Sequence, residues 1–413
     1  MLTQNSPQVN RSAPVKGNAF GVASGVMGWT LDAFDFFVVV FIVDILAARF
    51  HVPKSAIVWT ITATLAMRPV GALIFGALAD RYGRRGPLMG VVIYFSIIEL
   101  LCGFAPNYGI FLLLRALYGI GMGGYWGVGA SLAMESAPTK WRGMLSGVLQ
   151  SGYSSGYLLA AIASRFVLPA LGWRAMFWVG IIPALFTVYL ASKAPESTAW
   201  QQHRLPSMRA IAHSVMQHGR SFAYLLLLLT LMTGLSHGTQ DLYPDFLKSA
   251  RSISPAVVAY MAMFYNVGAI LGAVCFGHLS EKMGRRKSII AALVLSLCSI
   301  PAWAFGGSLT VLVTGSFLMQ VGVQGAWGII PAHLNELSPD AVRSLFPGFV
   351  YQLGVLFGSP TNSIEFALQR RVGYSWALCY FEAFVIILLA TVVALGKERR
   401  GRSFLREIEV TPE

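Results

Sequence analysis

The sequence predicts an all-α integral membrane protein of twelve spanning helices, arranged as two six-helix pseudo-repeats with both termini cytoplasmic. Three observations predict it: an apolar composition, apolar runs of spanning length along the whole chain, and an internal repeat at a fixed offset. Of 413 residues, 55 % are hydrophobic and only 12 % charged. Mean hydropathy is +0.62. An average soluble domain carries about 25 % charged residues. The chain is therefore not disordered, fibrous or a disulfide scaffold, and reads as one polytopic body rather than a string of soluble domains.

A helix needs about 20 apolar residues to cross a bilayer. Such runs occupy residues 20–46, 56–78, 87–105, 108–131, 143–166, 173–192, 221–243, 255–278, 288–306, 309–332, 344–366 and 374–395. Residues 1–19 read as a disordered cytoplasmic tail with no cleavable signal. Residues 20–192 form one half and 221–395 the other. The polar stretch 193–220, with Pro195, Pro206 and three histidines, reads as the cytoplasmic linker, and 396–413 as a cytoplasmic tail.

Charge sets the orientation. With both tails inside, the cytoplasmic side holds 21 Lys and Arg, the opposite side holds 8, and Arg68 and Arg115 fall within spans. That bias follows the positive-inside rule. It also accounts for the net charge of +13 without a nucleic-acid partner. Cys102, Cys275, Cys298 and Cys379 all lie in apolar spans without CxxC spacing and read as packing residues. No metal cluster, nucleotide-binding loop or nucleophile–base pair is visible, so neither an enzyme nor a cofactor is expected.

The repeat lies in the loops. GALADRYGRR at 76–85 recurs as GHLSEKMGRR at 277–286, an offset of 201 residues. At the same offset Glu135, Pro138 and Arg142 fall on Glu336, Pro339 and Arg343. A duplicated six-helix unit explains this, and such halves enclose a substrate site near the midplane. The doubled loop resembles the signature loop of the major facilitator superfamily. The resemblance implies a cytoplasmic latch, in which Asp80 holds a helix end and the Arg cluster Arg81, Arg84 and Arg85. Its other members would be Glu135, Arg142, Glu281, Arg285, Arg286, Glu336 and Arg343. The physics agrees, since a carboxylate favours a helix N-terminus and Arg pairs well with carboxylates. The bland alternative is solvated charges that only set topology.

An ionisable group at the bilayer centre costs roughly 2.5–3.5 kcal/mol and so calls for a reason. Asp32 and Asp35, in WTLDAFDFFVVVF, share a helix face. Two such carboxylates in low dielectric do not both ionise readily, so at least one is expected to handle a proton. DAFD resembles the D-x-x-D of proton-coupled organic-acid symporters in the superfamily. Arg115, in FLLLRALYGIGMGG, stays charged in any setting. Its expected partner is Asp35 or a substrate carboxylate. Many relatives read G-G-E-W-G where this chain has Tyr125.

The third group is SHGTQDLYPDFLK at 236–248, where His237, Gln240 and Asp241 share a helix side. His beside Asp is a plausible titrating pair, and Pro244 with Gly238 predicts a kink. On residues alone, a cavity and a polar helix end are equally good readings. The stretch resembles the motif of Jen-type lactate/pyruvate permeases, N-x-x-[ST]-H-x-[SD]-Q-D-x-x-x-T, which sit with sialic-acid permeases in the sialate:proton symporter group. Ser236, His237, Gln240 and Asp241 match it, whereas Thr233, Thr239 and Asp245 depart. Gln320 and Gln324, one turn apart, are further cavity candidates. Glu99 and Glu382 stand alone in apolar spans with no assigned role.

The expectation is a monomeric, proton-coupled symporter of the inner membrane for small monocarboxylates such as lactate or pyruvate. Arg115 would receive the carboxylate, and Asp32, Asp35 and Asp241 would carry the proton. The rivals are a sialic-acid or aromatic-acid symporter and an uncoupled facilitator.

Overall fold

The computed structural model describes residues 18–205 and 207–405. Most of the tail expected over 1–19, Pro206 of the linker and residues 406–413 of the C-tail lie outside the described residues. Among the described residues the fold is all helical. The helices are α1 (Ala19–Phe41), α2 (Val43–Phe50), α3 (Lys54–Tyr82), α4 (Arg85–Cys102), α5 (Tyr108–Ser136), α6 (Arg142–Trp178), α7 (Ile181–Lys193), α8 (Thr198–His203) and α9 (Met208–Gln217). They continue as α10 (Gly219–Gln240), α11 (Tyr243–Ser249), α12 (Pro255–Met283), α13 (Arg285–Phe305), α14 (Leu309–Leu337), α15 (Leu345–Gly358), α16 (Thr361–Val372) and α17 (Tyr374–Leu395).

Nine helical stretches among the described residues are long and apolar enough to cross a membrane. One is the 55-residue run Thr139–Lys193, which Gly172 interrupts with φ 77° and ψ 176°. A side chain rarely adopts that left-handed φ. Gly373, 201 residues later, has φ 84° and makes the equivalent break before α17. The repeat holds elsewhere as well. Asn107 caps α5 by accepting from Ile110 N at 3.0 Å, and Ser308, 201 positions on, caps α14 at Val311 N.

The first bundle, α1–α7, and the second, α10–α17, each pack internally. They meet where α3 and α5 face α15, and where α6 faces α12 and α14. The span expected over 344–366 divides at Ser359 and Pro360 into α15 and α16. The kink expected near Pro244 is a break at Asp241–Leu242, with Pro244 in the first turn of α11. The linker is not a plain tether: α8 and α9 fold under both bundles, touching the turn Asp340–Val342, and α9 also touches α3. The cysteine expectation needs correcting for two residues. Cys102 is buried, but Cys275 and Cys298 are exposed on the outer face of the bundle rather than packed inside it.

Candidate functional site

One end of the molecule holds a doubled charge cluster that joins the bundles. Asp80, at the end of α3, accepts from Ser344 N at 3.0 Å and Leu345 N at 2.9 Å, the first amides of α15. Arg84 also donates to it. Glu281, its counterpart on α12, accepts from Gly143 N at the start of α6. Each carboxylate therefore sits on the N-terminus of a helix from the other bundle, where free amides and the helix dipole favour it. Glu135 accepts from Arg84 Nε and Nη2, both at 3.2 Å, and from Arg343 Nη1 of the opposite bundle at 3.2 Å. Its counterpart Glu336 accepts from Arg285 at 3.0 and 2.9 Å, and from Arg142 across the interface at 3.4 Å.

Asp80 and Glu135 lie beyond the apolar runs, and their titration differs. Burial pushes the Asp80 carboxyl above the usual range, because Arg84 and the two amides only partly offset it. Burial also raises Glu135, but Arg84 and Arg343 outweigh it and hold Glu135 below the usual range.

Three of the arginines grouped with this cluster do not cross the interface. Among the described residues Arg81 makes a cation–π contact, 5.4 Å over Tyr82, and no hydrogen bond or ion pair. Arg85 donates to Ser192 O at 2.5 Å, and Arg286 to Val393 O at 2.8 Å, so each pins the last helix of its own bundle. Glu196 of the linker accepts from the amides of Arg84 and Arg85 at 2.8 and 3.2 Å. Glu398 does the same for Arg286 at 3.0 Å.

Sequence reading did not foresee the role of residues 398–405. Arg402 donates to Glu336 O and Ser338 O at 3.0 Å and to Asp340 at 2.6 Å, while its own carbonyl accepts from Arg142 at 2.8 Å. Phe404 is buried between two guanidiniums, 3.8 Å from Arg142 and 4.0 Å from Arg343. The segment thus straps residues of both bundles together. Ser146 adds a further cross-link by inserting into the ladder of α14: it donates to Gly328 O at 2.7 Å and accepts from Ala332 N at 3.0 Å.

The second site is internal. Asp32 and Asp35 are both buried on α1, and among the described residues no donor reaches either oxygen of Asp32 or Oδ1 of Asp35. Arg115 does not pair with Asp35. It pairs with Glu99 of α4, both side chains 2 % exposed, and Tyr118 covers the guanidinium at 4.3 Å. This gives Glu99 a place and encloses Arg115 within the first bundle. Tyr125, where an acid was the alternative, donates to Ser24 O and Gly25 O at 2.9 and 2.8 Å and so holds α1.

Sequence reading also passed over Arg68. It is 5 % exposed and makes no ion pair among the described residues, and its Nε lacks an acceptor. It lies within electrostatic reach of Asp32 on α1, Tyr153 on α6, His237 on α10 and Tyr351 on α15. That places it where the bundles face each other. Its signal was an Arg inside an apolar span, TLAMRPVGAL. Around Tyr351 gather Trp126 at 4.2 Å, Trp327 at 5.6 Å and Trp29 at 6.4 Å, and none of the three indole N–H groups has an acceptor among the described residues.

From the second bundle, His237 Nδ1 lies 2.8 Å from Asp241 Oδ2, the two side chains 39 % and 36 % exposed. Asn362 donates to the same oxygen at 2.8 Å. Gln240 turns to Gln320, donating at 2.8 Å, and Gln320 donates on to Thr239 at 3.3 Å. Gln324 is buried and has no hydrogen-bond partner among the described residues. The interface therefore brings together donors that lack acceptors and, on Asp32, acceptors that lack donors. Such a set can hold an anionic ligand and a proton.

Two helical bundles around a shared polar interior, joined at one end by a doubled charge cluster, define a class: a membrane carrier rather than an enzyme. The chain belongs to the sugar (and other) transporter family of the major facilitator superfamily, whose model matches residues 10–220 and 221–396. It is 31 % identical to a carboxylic acid transporter protein homolog of Saccharomyces cerevisiae over 84 % of this chain, and it spans 61 % of that relative's length. It is 26 % identical to the sialic acid transporter NanX of Escherichia coli, covering 89 % of this chain and 92 % of the relative. The fold superposes on that of the proton:xylose symporter XylE with a TM-score of 0.77 at 18 % identity, over 93 % of this chain and 97 % of that one.

Proposed function

We propose that this carrier moves a small organic acid together with a proton across the inner membrane, by alternating access between two six-helix halves. The observation that carries the reading is Arg68. A buried guanidinium with no ion pair among the described residues is costly, and a ligand carboxylate would complete it with a fork of hydrogen bonds. Arg115, with Glu99 already on it, is a poorer receiver and instead sets the charge against which Asp35 gains or loses its proton. His237, Gln240, Asp241, Gln320 and Gln324 shape the site from the second half. The relatives named for carboxylic and sialic acids support an acid as cargo. Among acids we favour small monocarboxylates such as lactate or pyruvate, because Trp29, Trp126, Trp327 and Tyr351 crowd the space beside Arg68. The NanX likeness supports a sialic acid as the second reading.

Twelve crossings follow when the 55-residue run is split at Gly172, and when α5 and the broken pair α15–α16 are added to the nine stretches. The positive-inside rule puts the charge cluster and both termini in the cytoplasm. Asp80, Glu281, Glu135, Glu336, Arg84, Arg285, Arg142 and Arg343 then form the cytoplasmic latch, strapped by Arg402 and Phe404. The latch must open for cargo to leave inward.

The test is uptake of labelled L-lactate, pyruvate and N-acetylneuraminate into proteoliposomes, with and without an inward proton gradient. Wild type should accumulate one of these under the gradient. Arg68→Gln should abolish that flux, and Asp35→Asn should leave exchange but no accumulation. Equilibration that ignores the gradient and survives Asp35→Asn would establish a facilitator. Full flux in Arg68→Gln would remove the proposed receiver.

A further inference from the structure

Two carboxylates of the second bundle take no part in the account above. Glu365 on α16 and Glu382 on α17 are 2 % and 0 % exposed. None of their four oxygens has a donor, and neither does Asn362 Oδ1, one turn before Glu365. Glu382 rests on α10 at Gly238, where a Cβ would stand 2.0 Å from its Oε1. A side chain at this position would press on the carboxyl and displace it. Glu365 lies within electrostatic reach of both Glu382 and Asp241, and Asn362 links α16 to Asp241 at 2.8 Å. These groups therefore connect inward from the half-open His237–Asp241 pair.

Among the described residues no Lys or Arg pairs with either carboxylate. From α10 the charged or titratable neighbours are His237 and Asp241. On α13, which packs against α17, residues 288–305 carry no charge. At the start of α17, Tyr374 is bonded to Asp245 at 3.1 Å, and Ser375 accepts from Arg251 at 3.3 Å. Arg370 and Arg371 lie in the exposed last turn of α16. Five buried acceptors thus receive no hydrogen bond from the described residues. An unpaired buried carboxylate costs far more than its protonated form, and a proton supplies the missing donor without needing a coordination shell.

We propose that Glu365 and Glu382 form a second proton-binding site of the carrier, loaded from the cavity through His237 and Asp241. A proton carried on the His237 imidazole passes to Asp241 and then to the inner carboxylate, which becomes a carboxylic acid. The second half as well as the first then carries a proton. This rests on the carrier reading but not on the identity of the acid.

The test reads the protein rather than the cargo. Full-length protein in lipid is titrated from acid to alkaline pH, and the infrared carbonyl stretch of protonated carboxyl groups is recorded. Wild type should keep this band at neutral pH. Glu365→Gln and Glu382→Gln should each lose part of it, and His237→Gln should slow its exchange in deuterated water. Gly238→Ala, which changes no charge but presses on Glu382, should shift its frequency and covers the case in which a glutamine variant fails to fold. A carboxyl spectrum identical to wild type in the folded variants would overturn the proposal. So would loss of the wild-type band when sodium chloride replaces choline chloride at constant pH, which would make this a sodium site. Because no cargo is present, failure here and failure of the organic-acid reading are separate results.

Discussion

Substituting Glu135 tests how the two bundles are held closed. Glu135 has three charge-assisted bonds, but only the one from Arg343 crosses the interface. The two from Arg84 survive opening, because Arg84 belongs to the same bundle. In Glu135→Gln the shape is kept and the cross-bundle charge pair is lost. A hydrogen bond to a charged group contributes about 1.5–3 kcal/mol, and the pair is buried, so solvent does not screen it. At about 1.4 kcal/mol per tenfold, the closed-to-open ratio should fall about 10- to 100-fold. Glu336→Gln should do less, since its cross-bundle bond from Arg142 is longer at 3.4 Å. The assay is pulsed electron resonance between spin labels on Tyr82→Cys and Met283→Cys, two exposed positions at this end of α3 and α12. Cys275, Cys298 and Cys379 are replaced by serine beforehand, and buried Cys102 is kept. A second, longer distance population should grow in Glu135→Gln. If the distribution matches the parent, the Arg343 bond does not hold the closed state and the latch reading is wrong.

Other outcomes follow from the same geometry. Glu135 is held below the usual carboxylate range, so the closure it supports should be complete above that range and weaken only as pH falls through its lowered value; the same spin pair followed on acidification checks this, and opening at mildly acidic pH would contradict it. Phe404→Ala removes the ring between Arg142 and Arg343, and cation–π contacts of this desolvated kind contribute about 2 kcal/mol. It should raise the open fraction and trypsin cleavage after Arg402, whereas unchanged cleavage would relegate the strap to packing. Glu99→Gln leaves Arg115 buried without its partner, a loss of about 3–5 kcal/mol; its thermal midpoint should drop well below that of wild type, and an unchanged midpoint would mean that Asp35 takes over the pairing.

Much of the architecture was legible in one dimension. Spanning helices need apolar runs of set length, so composition and spacing suffice to find them. Duplication is also visible, because the copies at Asp80–Arg85 and Glu281–Arg286 share one offset with Glu135 and Glu336. The structure extends that offset to caps at Asn107 and Ser308 and to turn glycines at 172 and 373. His237 and Asp241 met as their spacing required, because neighbours four apart on a helix must share a face.

What stayed hidden is partner choice between helices. The expected partner of Arg115 was Asp35 or a substrate carboxylate, and only the packing of α4 against α5 gives it Glu99. Arg68 read as a charge inside an apolar span until the meeting of the bundles showed it buried, with no acceptor on its Nε among the described residues. The C-terminal segment read as a basic tail, yet Arg402 and Phe404 are bound to residues more than 60 positions away. Periodicity and composition are local properties, and the sequence alone determined the apolar helices and their repeat. Which charge neutralises which, and which is left for a ligand, depends on distances that exist only once two bundles have closed on each other.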